Sequence, residues 1–185
     1  MRIMKELKDN KLFFNSLLTL FMAIVCTSQG CISENEPQGT ALSVGDSLPL
    51  FSVILNDGTL VDNSSLEGKV AVIVFFNTGC SDCRKEFPVI QMLWELYKDN
   101  PEVVIAPIAR EESEEDIASY WEANGLTMPY SPQENRDVYN LFAPSIIPRI
   151  YITGRNGIIL FSSGDADMPD LEKLKTEVTK ALSTE

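Results

Sequence analysis

The 185-residue sequence contains no histidine and only four cysteines, of which Cys26 and Cys31 lie in the N-terminal segment. A structural zinc site is built from four Cys or His ligands, so the remaining pair, Cys80 and Cys83, is too small a ligand set. Covalent haem attachment needs a His directly after the second cysteine of such a pair, where this chain has Arg84. We therefore expect no metal and no haem.

Basic residues are scarce, because 15 Lys and Arg stand against 27 Asp and Glu and give a formal net charge of −12 at pH 7. A surface this acidic repels phosphate backbones, which argues against a nucleic-acid partner. The densest acidic run covers residues 111–116. We interpret it as the solvated start of a helix, where negative charge favours the helix dipole, and a docking patch for a basic partner is the alternative.

The N-terminal apolar stretch, Leu12 to Cys26, is shorter than the roughly 20 residues that a membrane-crossing helix needs. Basic residues precede it and small residues follow it, which is typical of a secretory signal. We therefore interpret residues 1–31 as a signal peptide. The mature chain is expected in the cell envelope, on the periplasmic or extracellular side, where disulfides can persist.

The end of this segment, Ser28-Gln29-Gly30-Cys31, resembles a bacterial lipobox, in which a small residue precedes a cysteine that becomes lipid-modified. We expect lipidation of Cys31 and anchoring of the chain to a membrane through it. Ordinary signal cleavage nearby and an uncleaved anchor are the alternatives. Residues 32–41 are polar and include Pro37 and Gly39, which indicates a flexible tether to a domain over residues 42–185.

The remaining sequence alternates between strand-length apolar runs and amphipathic helical patterns. The run KVAVIVFFN, residues 69–77, is continuously apolar between its two end residues, which is typical of a central strand buried on both faces. Ser113 and Gly125 are suited to cap the two ends of a helix. The expected order is a β-hairpin, a strand, a helix, a strand, two helices, a second β-hairpin and a final helix. This order predicts an α/β fold with a mixed sheet and helices on both faces.

The stretch FFNTGCSDCRKEFPVI, residues 75–90, places two cysteines three positions apart where the central strand passes into a helix. Open α/β sheets commonly carry their chemistry at this edge. Cys80 is expected near the helix N-cap, where backbone N–H groups and the helix dipole lower the pKa of a thiol. Cys83 is expected to be more buried. This asymmetry suits thiol-disulfide exchange, in which Cys80 attacks a partner's disulfide and Cys83 resolves the mixed disulfide.

Charged neighbours are expected to tune this pair. Asp82 opposes ionisation of the first thiol, while Arg84 and Lys85 favour it, so we expect only a moderately lowered pKa and a reducing or mildly oxidising couple. Glu86 lies three residues after Cys83 on the same helix face. A carboxylate there can accept the proton that Cys83 loses before it attacks, and a surface Glu without such a role is the alternative.

The segment GKVAVIVFFNTGCSDCRKEFPVI resembles the CxxC segment of the TlpA/ResA-like thiol-disulfide oxidoreductases of the thioredoxin superfamily, and the similarity extends over residues 42–182. The resemblance implies a thioredoxin-like fold with an N-terminal β-hairpin and an inserted strand-helix unit. It also implies that Pro148 is cis and packs against the dithiol, that the backbone of Ile147 binds the partner, and that Glu86 is an active-site acid. A trans proline at the start of a strand is the alternative that the sequence alone leaves open.

The sequence departs from the pattern of that family in four places. Thr78-Gly79 replaces the Trp before the first cysteine, Asp82 replaces the Pro between the cysteines, Val74 replaces the buried Asp of thioredoxin, and residues 144–146 replace a Gly-rich lead to the cis-Pro. We assign Gly79 to a substrate-binding surface that is less apolar than usual next to Cys80. The missing Asp leaves Glu86 as the obvious proton acceptor.

We therefore expect an exported thiol-disulfide oxidoreductase that acts as a monomeric reductant on disulfides of other envelope proteins and is re-reduced by an upstream thiol reductant. The Cys80–Cys83 disulfide is the redox group, and no further cofactor is expected. One alternative is a peroxiredoxin-like thiol peroxidase, with Thr78 and Arg149 as distant matches to its Thr and Arg. The other is a non-enzymatic envelope module in which the same disulfide is structural, although so short a loop stabilises little.

Overall fold

The computed structural model describes residues 40–184. The expected signal peptide 1–31, with Cys31, and tether residues 32–39 lie outside the described residues. Within residues 40–184 no helix combines the length and the apolar character needed to cross a bilayer. The elements follow the predicted order: β1 Ser52–Ile54, β2 Leu60–Asp62, β3 Val70–Phe76, α1 Ser81–Tyr97, β4 Val103–Ala109, α2 Glu114–Asn124, α3 Asp137–Phe142, β5 Arg149–Thr153, β6 Ile159–Ser163, a 3-10 turn Asp165–Asp167 and α4 Leu171–Ser183.

Four strands form the central sheet in the order β4-β3-β5-β6. β3 pairs with β4 in parallel, whereas the pairs β3-β5 and β5-β6 are antiparallel, so the expected mixed sheet is confirmed. Every residue of β3 is buried, as its uninterrupted apolar sequence predicts for a strand covered on both faces. β3 therefore forms the centre of the core and fixes the position of the turn that follows it.

Helices cover both faces of the sheet, as predicted. Successive side chains of a strand point to opposite faces, so the contacts of Phe75 and Phe76 show which helices cover each face of the sheet. The ring of Phe75 lies 5.3 Å from that of Tyr139 in α3. The ring of Phe76 lies 5.3 Å from Phe87 in α1 and 5.2 Å from Trp121 in α2. Consequently α3 lies on one face, and α1 and α2 lie on the other, where α4 packs beside α1.

The strand-helix unit that follows α1 consists of β4 and α2, and both predicted caps of α2 are confirmed. Ser113 is the N-cap, and its Oγ accepts a hydrogen bond from the N–H of Asp116 at 3.2 Å. Gly125 ends the helix with φ 65°, in the left-handed region that glycine adopts without steric cost.

The N-terminal β-hairpin is separate from the central sheet, and loop segments pair with both edges of that sheet. β1 and β2 form a separate antiparallel sheet about a turn at residues 56–58. At the β4 edge, the N–H of Ser131 donates to the carbonyl of Pro107 at 2.8 Å. At the β6 edge, the N–H of Ile159 donates to the carbonyl of Asp46 at 2.9 Å. Part of each outer edge strand is thereby paired.

Candidate active site

The turn between β3 and α1 is held by the side chain of Asn77. Its Oδ1 accepts a hydrogen bond from the N–H of Gly79 at 2.8 Å, and its Nδ2 donates to the carbonyl of Arg110 at 3.1 Å. The N–H of Cys80 donates to the Asn77 carbonyl at 3.0 Å, and Cys80 becomes the N-cap of α1 with extended backbone angles. The first thiol therefore lies at the N-terminus of a 17-residue helix.

The two cysteines are free thiols in very different surroundings. Cys80 is partly exposed, and its Sγ donates a weak hydrogen bond to the carbonyl of Ile147 at 3.6 Å. Cys83 is completely buried, and this burial raises the pKa of its thiol well above the ordinary value, although a backbone hydrogen bond from Asn77 opposes the change. One sulfur is thus accessible to a partner, and the other is held protonated beneath it.

The loop before β5 forms the wall next to Cys80. The Ile147–Pro148 peptide bond is cis, as the family resemblance implied. Both residues are buried, so Ile147 presents its carbonyl to the sulfur while its side chain packs inward. The hydroxyl of Tyr139 donates to the carbonyl of Ile146 at 2.6 Å and thereby ties this loop to α3. Gly79 directly precedes Cys80, in the turn before the helix, and it is exposed.

Glu86 lies on the buried face of α1 together with Cys83. Only 3% of its surface is exposed, and its Oε1 has no hydrogen-bond partner within residues 40–184. Burial disfavours the charged carboxylate and raises the pKa of Glu86 to about 7 from the ordinary 4.5. A carboxyl of this pKa can both take up and release a proton near neutral pH.

Glu112 belongs to this site, although the sequence pattern gave no reason to include it. It is part of the acidic run 111–116, yet only 8% of its surface is exposed. Its Oε2 accepts a hydrogen bond from the N–H of Thr78 at 2.8 Å, and its Oε1 accepts one from the Thr78 hydroxyl. Our interpretation of a solvated helix start holds for residues 114–116, which are exposed in α2, and is wrong for Glu112.

Charged side chains around the dithiol are engaged with one another and with the turn. Asp82 forms an ion pair with Lys85, with 2.7 Å between Oδ1 and Nζ, which offsets the negative charge next to the first thiol. Arg84 donates from Nε to the carbonyl of Thr78, and its guanidinium lies 5.5 Å from the ring centroid of Tyr120. Arg84 therefore also holds the turn in place, by a contact that sequence spacing does not reveal.

The contacts of Thr78 and Arg149 bear on the alternative peroxidase function, and the arrangement of the acidic side chains and cysteines bears on metal binding. The hydroxyl of Thr78 donates to the Glu112 carboxylate, and Nε of Arg149 donates to the carbonyl of Ser145 at 3.2 Å. In the described part of the chain, no group of three or more Cys, Asp or Glu side chains is placed to hold a metal ion.

Known proteins resemble this chain in sequence and in structure. The Redoxin family matches residues 43–163. Thiol-disulfide oxidoreductase ResA from Oceanobacillus iheyensis is 26% identical over 159 residues, which cover 84% of this chain and 81% of the relative. The solution structure of a Bacteroides thetaiotaomicron protein assigned as a protein disulfide isomerase has a TM-score of 0.71 at 27% identity and covers 79% of this chain and 96% of that one. A thioredoxin family thiol:disulfide interchange protein from Chlorobium tepidum has a TM-score of 0.64 at 21% identity, with 77% and 100% covered.

These matches agree with the observed architecture and confirm the predicted fold class, a thioredoxin-like α/β fold with a mixed sheet. The family match covers more than half of the chain and includes β3, both cysteines and the cis-Pro loop. The predicted family is therefore also confirmed. The chain belongs to the Redoxin family and is a TlpA/ResA-like thiol-disulfide oxidoreductase of the thioredoxin superfamily.

Proposed function

We propose that this protein is exported to the cell envelope, where it reduces disulfides of other proteins through Cys80 and Cys83. The observation that carries the proposal is the asymmetry of the two thiols. Cys80 is partly exposed at the N-terminus of α1, and Cys83 is completely buried one helical turn away. Exchange through a mixed disulfide needs one sulfur that partners can reach and a second that is protected until the first has reacted.

The reaction begins when Cys80, as a thiolate, attacks one sulfur of the partner's disulfide. A sulfur-sulfur bond forms between Cys80 and the partner, the partner's own bond breaks, and its second sulfur leaves as a thiolate that takes up a proton. Cys83 then loses its proton and attacks Cys80, which releases the partner's first sulfur. Two electrons and two protons pass to the partner, and the Cys80–Cys83 disulfide remains as the oxidised redox group, without a further cofactor. An upstream thiol reductant restores the dithiol.

Glu86 is proposed as the group that takes the proton from Cys83. The raised pKa of Cys83 makes its deprotonation the difficult step, and a base on the same buried helix face shortens the path of the proton. With a pKa of about 7, the Glu86 carboxyl is ionised in part of the molecules at neutral pH and can later return the proton.

The direction of electron transfer is proposed from the same burial. Strong oxidants of this fold class stabilise their thiolates, which makes the reduced form favourable. Cys83 contributes no such stabilisation, because burial raises the pKa of that thiol and keeps it protonated near neutral pH. We therefore propose a reducing or mildly oxidising couple, with a reduction potential more negative than the roughly −120 mV of the strong oxidant of this fold class.

The partner is proposed to lie over the surface formed by Gly79, Cys80 and the cis-Pro loop. Gly79 is exposed and without a side chain, so a partner's backbone can approach the first thiol from that direction. The carbonyl of Ile147 already contacts the sulfur, which places the backbone of this loop next to the first thiol. A single domain of this kind is proposed to act as a monomer.

Trapping with Cys83→Ala tests the proposed function. Without the resolving thiol, mixed disulfides through Cys80 accumulate and are recovered from envelope extracts as adducts that dithiothreitol releases. Cys80→Ala is the matched control and yields no adducts. Equal recovery from both variants, or none from either, would contradict the proposal. A potential below about −300 mV would favour a structural disulfide, and thiol-dependent consumption of peroxide would favour a peroxidase.

Export and membrane anchoring through a lipid on Cys31 are proposed from the sequence of residues 1–31. The basic start, the short apolar stretch and the lipobox-like end support this proposal. Cys31→Ser is expected to move the protein from the membrane fraction to the soluble fraction of the envelope. An unchanged distribution of the variant would remove the lipid anchor from the proposal.

A further inference from the structure

Ile146, in the loop before the cis-Pro, has a backbone conformation that is unusual for its residue type. Its φ is 75°, in the left-handed region. Residues with a branched Cβ rarely adopt this region, because Cβ then crowds the following carbonyl oxygen. Glycine takes the same conformation without that cost, and residues 144–146 replace the Gly-rich lead of the family that this chain resembles. This chain therefore keeps an isoleucine where the backbone favours glycine.

Packing into the core does not explain this isoleucine. Its side chain is 44% exposed, whereas the preceding aromatic residue of the core, Phe142, is 1% exposed. The stabilisation from apolar burial is roughly proportional to the area removed from water, so a half-exposed side chain recovers only part of it. Strained backbone that is not repaid by packing is found most often at functional sites.

Ile146 directly precedes the residue whose carbonyl contacts the reacting sulfur. Its own carbonyl is held by the hydroxyl of Tyr139 at 2.6 Å, and the next carbonyl, that of Ile147, contacts Sγ of Cys80 at 3.6 Å. On its other flank lies Gly164, since a Cβ built on that glycine would be 3.9 Å from Cγ2 of Ile146. The glycine has no side chain to cover the isoleucine, so the apolar surface of Ile146 stays open on that flank.

We propose that Ile146 is a specificity-determining residue that binds an apolar side chain of the partner, next to the partner's reacting cysteine. The inference rests on the proposed function, because its occupant is an extended segment of a disulfide-bonded protein. When a partner segment brings its sulfur to Cys80, it passes over the loop before the cis-Pro. Ile146 lies in this loop, one residue before Ile147, whose carbonyl contacts Sγ of Cys80. An isoleucine side chain offers no polar group, so it gains free energy only from an apolar neighbour.

Two short peptides that differ only at the residue beside their single cysteine test this proposal. One carries Leu there and the other Ser, and each is oxidised to its symmetrical disulfide. The measurement is the rate constant for oxidation of the reduced protein by each peptide. Wild-type protein is expected to react about tenfold faster with the Leu peptide, which corresponds to partial burial of one leucine.

Ile146→Gly and Ile146→Asn are expected to bring the Leu-to-Ser ratio close to one, and dividing each peptide rate by the rate of the same variant with oxidised glutathione removes any general change in reactivity. Both replacements tolerate the left-handed region, so their thermal unfolding midpoints are expected at or above that of the wild type. Leu50→Asn is the matched control, because Leu50 is 86% exposed before β1, and its ratio stays at the wild-type value.

Equal rates of the wild-type protein with both peptides would overturn the proposal, and so would a ratio that survives both replacements of Ile146. In either case, reaction with glutathione disulfide shows that the proposed exchange function stands. Failure of the wild-type protein to react with any disulfide would overturn the function and, with it, the role of Ile146.

Discussion

Replacing Glu86 by Gln removes an ionisable group from the buried face of α1 and keeps its shape. Raising a carboxyl pKa from 4.5 to about 7 corresponds to about 3 kcal/mol of folding free energy once the group is ionised in both states. Well below pH 4.5 the carboxyl is neutral in the folded and the unfolded chain, so no cost arises. Above pH 7 the folded wild-type protein carries the whole cost, and the Gln variant carries none.

Urea unfolding of the reduced proteins at about pH 5 and about pH 8 measures this difference. The free energy of unfolding of Glu86→Gln is expected to exceed that of the wild type by about 3 kcal/mol at the higher pH and by about 1 kcal/mol at the lower. Glu115→Gln is the matched control, because Glu115 is exposed on α2 and its replacement changes stability by less than about 0.5 kcal/mol at either pH.

The same variant also tests the proposed proton transfer. Without a carboxylate to accept the proton of Cys83, release of a partner from the mixed disulfide slows by about a hundredfold, as single-turnover kinetics at neutral pH would measure. A gain in stability that is equal at both pH values would show that Glu86 ionises like an exposed carboxyl and would refute the reasoning. An unchanged release rate would remove Glu86 from the mechanism.

Two further predictions concern the surroundings of the dithiol. Iodoacetamide is expected to modify Cys80 and to spare Cys83 in the reduced protein, because only the first side chain is reached by solvent, and equal labelling in peptide mass spectra would contradict the site. Glu112→Ala leaves the N–H and hydroxyl of Thr78 without their acceptor, so the free energy of unfolding in urea falls by about 3 kcal/mol. Glu114→Ala serves as the control, because Glu114 is exposed, and it changes the free energy of unfolding by less than about 0.5 kcal/mol.

Most of the fold was predictable because its signals are local. An uninterrupted apolar run marks β3, and the caps Ser113 and Gly125 mark the two ends of α2. The position of Cys80 at a helix N-terminus follows from the same patterns, since it lies between a buried strand and an amphipathic helix. Such signals depend on neighbours within a few residues, so a single sequence contains them.

The features that were not predicted depend on contacts between distant segments. Glu112 and Thr78 are 34 residues apart, and nothing near Glu112 distinguishes it from the exposed acids that follow it. The positive φ of Ile146 is imposed by a loop that is tied to Tyr139 and continues into the cis bond. The same holds for Glu86, because spacing placed it on the face of Cys83 but did not show how completely the fold buries it.

The partly paired edges of the central sheet matter for a protein that is proposed to bind extended segments of other chains. A bare edge strand is a template on which such chains aggregate, since it offers a row of free N–H and C=O groups. Here Pro107 has no N–H to offer and its carbonyl accepts from Ser131, while the carbonyl of Asp46 accepts from the N–H of Ile159 at the start of the opposite edge strand. A partner can therefore exchange disulfides with Cys80 and Cys83 with less risk of pairing with an edge of the sheet as an additional strand.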